Sequence, residues 1–97
     1  MAEHASVVRV THFTPAPGKR EELVSRLQEG AEQIRQMDGC FGVQICALRE
    51  APDQVVSISR WASQSALDAF LKASDSQRAN ANTLATAAPV TEHLTPL

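Results

Sequence analysis

Apolar and polar residues alternate along some stretches of this chain and recur at helical steps along others, and the change of period divides it into elements. From Ser6 to Thr14 the alternation is that of a strand, with Val8, Val10 and His12 on one face and Val7, Arg9, Thr11 and Phe13 on the other. Pro15-Ala16-Pro17-Gly18 ends it, because proline cannot donate to a ladder and glycine permits a turn. From Lys19 to about Met37 the period becomes helical: Leu23, Val24, Leu27, Ala31 and Ile34 form one apolar stripe. Glu22 with Arg26 and Glu32 with Arg35 decorate the solvated side, and Glu21-Glu22 suit the positive end of the helix dipole.

Asp38-Gly39 closes that helix and a second strand follows from Cys40 to about Leu48. Arg49 to Asp53 has the composition of a hairpin turn, and Gln54 to Trp61 alternates as a third strand. Ser63 is the expected N-cap of a helix carrying Ala66, Leu67, Phe70 and Leu71. Ser74-Asp75-Ser76-Gln77 has capping-box spacing, so a new helix is expected from there to about Ala87, where Ala88-Pro89 stops it. Val90 to Leu94 reads as a short last strand. The order is the split βαββαβ of an α+β, ferredoxin-like fold: an antiparallel four-stranded sheet with helices on one face, in a single domain over residues 1–97. Valine, isoleucine and cysteine occupy both strand faces, and the chain has no further helix to cover the second one. A second copy is the natural cover, so a homodimer is expected.

Composition removes several function classes. Nine Lys plus Arg against eleven Asp plus Glu, interspersed, leave no basic patch for nucleic acid. No apolar run approaches the ~20 residues of a membrane-spanning helix. Met1-Ala2-Glu3-His4 has neither the basic nor the apolar region of a signal peptide. Cys40 and Cys46 lie too far apart along one strand to bridge each other, which points to reduced thiols and a cytoplasmic location. His12 and His93 face each other only if the first and last strands are neighbours, and with no third ligand they make a poor metal site.

Trp61, the single tryptophan in a chain without tyrosine, sits at the junction of strand and helix, where pockets form. Around it the chain resembles the antibiotic biosynthesis monooxygenase family of dimeric α+β barrels. Pro17-Gly18-Lys19-x-x-Glu22, Gly39-Cys40-x-Gly42-x-Gln44 and Trp61-x-Ser63-x-x-Ala66-Leu67-x-x-Phe70 carry the likeness, in order and over nearly the whole length. The family holds cofactor-independent quinol and polyketide monooxygenases and haem-degrading enzymes. Haem-degrading relatives pair a first-strand Asn and the Trp with a ligating histidine on the helical segment that follows. Here Thr11 stands at the Asn position, and no histidine lies between Phe13 and Glu92, which disfavours haem. Monooxygenases of polycyclic quinols use Asn, Trp, tyrosine and arginine, and this chain lacks the tyrosine.

The resemblance therefore implies a cofactor-free monooxygenase, with molecular oxygen and a small quinol-like or polyphenolic aromatic as partners. Such chemistry needs a dry site, a surface for the ring and a group that stabilises the anion. Trp61 offers the surface, on one strand face with Ser57 and Ser59. If the sheet pairs as in the family, Arg9, Thr11 and Phe13 share that face, Arg9 to stabilise a phenolate and Thr11 to hydrogen-bond it. The expected set is Trp61, Thr11 and Arg9 for catalysis, with Phe13, Ser59, Phe70 and Asn80 holding the substrate. Opposed readings stand beside it. Trp61 serves equally as a packing anchor with its indole N–H on a backbone carbonyl, Arg9 as half of an ion pair, Asn80 and Asn82 as a fraying surface turn. His12, by parity, belongs to the subunit interface, and Arg60 to its rim. A binding module that holds an aromatic metabolite without oxidising it is the alternative function.

Overall fold

A computed structural model of the chain describes residues 4–97, and the expectation drawn from Met1-Ala2-Glu3 lies outside the described residues. Its elements run β1 (Val7–Phe13), α1 (Arg20–Ile34), β2 (Cys40–Leu48), β3 (Ala51–Trp61), α2 (Gln64–Ala73), α3 (Asp75–Asn82) and β4 (Val90–Leu94). The strands form one four-stranded sheet in the order β2-β3-β1-β4, antiparallel throughout. That is the ferredoxin-like arrangement expected from the periodicity, with the long β1–β3 and β3–β2 ladders at its centre.

Parity along β1 and β3 decides which face is the core. Val7, Phe13, Val55 and Trp61 point to the helices and are buried. Two clusters result: Phe13 and Val55 pack with Leu23, Ala81 and Leu84, while Val7 and Trp61 pack with Leu67 and Phe70. Val8, Val10 and Ile58 project from the other face, where they are only half-buried. Val90 and Leu94, aligned beside His12 and Val8, share this uncovered face and are 61% and 51% exposed.

Three boundaries differ from the sequence expectation, two for local reasons and one through a distant segment. The helix α1 ends at Ile34, because Gln36 and Met37 donate to carbonyls only three residues back, tightening the chain into Gly39. The turn after β2 takes only Arg49 and Glu50, so Ala51, Pro52 and Asp53 extend β3. Pro52 is tolerated because β1 pairs with β3 no further than Val55. The helix α3 stops at Asn82 rather than near Ala87: the segment beyond it is captured by the β1–α1 loop, with Ala16 N–H donating to Leu84 O and Thr86 N–H to Thr14 O, both at 2.8 Å.

The caps divide. Ser63 caps α2 as expected, its Oγ accepting from Ala66 N–H at 3.1 Å. The capping box at Ser74 does not form, because Ser74 Oγ instead accepts from Arg78 Nε at 3.0 Å. Gly39 is required where it stands: its φ is +82°, and a Cβ there would lie 2.6 Å from the Ala66 Cβ at the start of α2.

Candidate functional site

The inner face of the sheet and the three helices leave a cavity of about 190 Å³ between them. From the sheet it is lined by Arg9, Thr11 and Phe13 of β1, Val43 and Ile45 of β2, and Ser57 of β3, with Thr91 of β4 at the edge. Register explains this set, because Arg9 lies opposite Ser59 and Thr11 opposite Ser57, so every second residue of β1 faces the helices. The helices close it with Leu27, Gly30 and Ile34 of α1, Phe70 of α2, and Gln77, Arg78 and Ala81 of α3.

Most of this wall is apolar, and its polar groups are unevenly satisfied. Thr11 Oγ1 and Thr91 Oγ1 share a hydrogen bond of 3.1 Å, which joins β1 to β4 across the floor. Arg78 is occupied: its Nε donates to Ser74 Oγ at 3.0 Å and its Nη2 to Leu71 O at 2.7 Å, with Asp75 at 3.7 Å. Arg26 is engaged by Glu22 at 3.6 Å and by the Asn80 side chain. Arg9 differs from both. Its Nε is buried without a hydrogen-bond partner, and its guanidinium carbon lies 6.0 Å from the centre of the Phe70 ring. Burial lowers its pKa from the ordinary arginine value, and the neighbouring Arg78 cation lowers it further. It stays charged at neutral pH all the same, since arginine ionises so far above it.

Not every expected site residue meets the cavity. Arg9, Thr11, Phe13 and Phe70 line it together. Trp61 does not: it is fully buried, its ring stacks on Phe70 at 5.0 Å and 20°, and Phe70 is the ring that borders the space. Its indole N–H donates to Ser59 Oγ at 2.9 Å, so a side-chain hydroxyl is the partner rather than the backbone carbonyl anticipated. Ser59 is thereby spent behind the wall and does not line the cavity either. Asn80 faces a second, outer hollow beside Arg26, Glu29 and Gln33, whereas Asn82 reaches the cavity edge. The ion pair anticipated for Arg9 is absent among the described residues. Arg78 went unrecognised in the sequence, although Ser74, Arg78 and Ala81 share one helical face and an arginine there must meet the sheet side.

On the uncovered face, β1 and β4 are neighbours, but His93 aligns with Arg9 and so points away from His12. His12 Nε2 contacts Glu92 Oε1 at 3.1 Å instead. Cys40 and Cys46 are free thiols on β2. Among the described residues no helix is long and apolar enough to cross a membrane.

The model of the antibiotic biosynthesis monooxygenase family matches residues 6–82 of the chain. Among solved structures, a protein of Mycobacterium tuberculosis is 26% identical, with 94% of each chain covered and a TM-score of 0.86. A protein of unknown function from Nitrosomonas europaea is 17% identical over 99% of this chain and 93% of that one, with a TM-score of 0.84. One from Caulobacter crescentus, described as a candidate antibiotic biosynthesis monooxygenase, is 18% identical over 98% and 92%, with a TM-score of 0.85. No protein of curated function matches the chain.

Proposed function

The chain belongs to the antibiotic biosynthesis monooxygenase family, and from that premise we propose that it is a homodimeric, cofactor-independent monooxygenase of a small quinol-like aromatic. The observation that carries this reading is Arg9, without an acidic partner, beside Phe70 in a cavity whose wall is mostly apolar in area. An aromatic ring lies against Phe70 and Phe13 while one of its phenol oxygens meets the cation. A fixed positive charge beside the ring favours the phenolate over the phenol, and the anion is the species that passes an electron to dioxygen. Balanced overall, the quinol becomes a hydroxyquinone: one oxygen atom enters the ring in place of hydrogen, and the other leaves as water. Dioxygen accepts four electrons, two from the quinol-to-quinone oxidation and two from the hydroxylated carbon.

In this reading Arg9 and Thr11 are the catalytic groups and Phe13 and Phe70 hold the ring. Trp61 and Ser59 are positioning residues that fix Phe70 from behind, and Asn80 holds Arg26 at the rim. The second subunit covers the face of Val8, Val10 and Ile58, and the protein acts in the cytoplasm. A binding module without oxygen chemistry is the second reading, favoured by one feature: among the described residues no lining side chain is a carboxylate or an imidazole that would take the phenolic proton.

Oxygen uptake with a panel of reduced quinones separates the two. The oxygenase consumes one dioxygen per quinol and incorporates one atom of labelled oxygen into the product. Tight binding with uptake no faster than the spontaneous rate sinks it in favour of the binding module.

A further inference from the structure

We infer that the ligand of this cavity is a single-ring dihydroxylated aromatic carboxylate, its carboxylate and the phenol oxygen ortho to it both held on the guanidinium of Arg9. The inference rests on the quinol-oxidising reading and narrows its substrate class. Charge supplies the first argument. Arg26 and Arg78 have acidic partners, but Arg9 has none, and among the described residues no Asp or Glu lines the cavity. A half-buried cation without a counter-charge favours an anion beside it in the cavity.

Geometry supplies the second. Nε is sealed by the protein, so a ligand in the cavity can meet Arg9 only at the Nη end of the guanidinium fork. The two nitrogens there match the two oxygens of a carboxylate, whereas a phenolate presents one. Ionisation points the same way. A phenol with a pKa near ~10 must be ionised against its own equilibrium at neutral pH, while a carboxylate with a pKa near ~4 arrives charged. Size supplies the third argument: about 190 Å³ falls below the ~300–1,000 Å³ typical of pockets for drug-sized ligands, so one ring fits better than a polycyclic system. The Phe70 ring beside Arg9 lets one aromatic plane and one anionic group be satisfied together. The carboxylate is a spectator in the oxidation, whose balance is unchanged.

The test pairs each acid with its neutral counterpart. Binding of benzoate and of methyl benzoate, neither oxidisable as a quinol, is measured by calorimetry or by NMR shifts. Oxygen uptake is then compared for 2,5-dihydroxybenzoate and its methyl ester. Benzoate is expected to bind about ten-fold or more tighter than its ester, the lower end of what a charge-assisted hydrogen bond contributes, and the dihydroxy acid to be turned over with a similarly higher kcat/KM. Arg9→Gln removes the preference, and Arg9→Lys, which keeps the charge but not the fork, retains only part of it. Equal affinity for acid and ester overturns the inference, as does a preference that survives in folded Arg9→Gln. The ligand pairs alone decide the matter should Arg9→Gln not fold. Oxygen uptake that treats acid and ester alike sinks the carboxylate and leaves the oxygenase standing. Acid preference in binding, with no uptake from either quinol, sinks the oxygenase on which the inference rests.

Discussion

Trp61 stacks on Phe70 with ring centroids 5.0 Å apart and planes 20° from parallel, and only Phe70 borders the cavity. The tryptophan backs the wall and the phenylalanine is the wall. Trp61→Phe therefore weakens the fold more directly than the chemistry. Loss of the larger ring from a fully buried site is expected to cost about 2–3 kcal/mol, read from denaturant unfolding. Ser59→Ala orphans the indole N–H and costs about 1–2 kcal/mol. In both variants kcat/KM at saturating folded protein falls far less than in Phe70→Ala. A larger loss in Trp61→Phe than in Phe70→Ala would put the indole itself in contact with substrate.

Arg9 is half-buried, with its Nε sealed and without a hydrogen-bond partner. Arg9→Met keeps the length of the side chain and removes that unsatisfied group, so it is expected to stabilise the empty protein by up to about 1 kcal/mol. Ligand binding and oxygen uptake should fall together in the same variant. An arginine serving only the fold gives the reverse sign in the melting curve.

With no lining carboxylate or imidazole among the described residues, the pH profile of kcat/KM should follow the substrate. The expected rate rises through neutrality toward the phenol pKa near ~10, without an inflection near ~6.5. Burial lowers the Arg9 pKa, and lowering the pKa of a base destabilises its charged form in the fold. Unfolding then releases that constraint, and stability on this account rises with pH only as the folded Arg9 begins to deprotonate. That window lies in strong alkali, so Arg9 leaves stability flat across pH 6–8. A titration of stability near neutrality that disappears in Arg9→Met contradicts this.

Gly30 lines the cavity from α1, and a Cβ there would meet nothing within 4 Å. Gly30→Ala should stabilise the helix by up to ~1 kcal/mol with activity retained. Gly30→Leu projects into the open space and should raise KM while the protein stays folded. Unchanged KM in folded Gly30→Leu would mean that substrate enters elsewhere.

Gly39 is the opposite case. Gly39→Ala forces a side chain to φ +82° and against Ala66, and about 2–4 kcal/mol of stability should be lost. Ala66→Gly in the same chain relieves the contact but not the backbone conformation, so rescue should be partial. Full rescue would assign the whole cost to the contact.

The uncovered sheet face tests the homodimer. Light scattering at micromolar concentration should give about twice the monomer mass, and Ile58→Lys, at the centre of that face, should return it to one. A clean monomer in the unsubstituted protein refutes the second subunit.

Element types were legible because hydrophobic period is local: alternation along Ser6–Thr14 and the Leu23-Leu27-Ala31-Ile34 stripe need no tertiary information. The end of α3 was misplaced by long-range capture, the 14–16 segment taking the residues after Asn82 out of the helix. Parity also put Arg9, Thr11 and Phe13 on one face with Trp61, and the β1–β3 register agrees. Strand parity, however, says only which side of a sheet a residue occupies. Whether it lines a space or is sealed behind another ring depends on the elements laid across that side. Phe70 comes over Trp61 from α2, and Arg78 approaches Arg9 from α3, a helix with no sequence contact to β1. The order and faces of the elements were thus written in local chemistry. Which arginine is left without a partner, and which aromatic touches the cavity, was decided by packing, because burial and pairing are properties of neighbours the chain brings together only on folding.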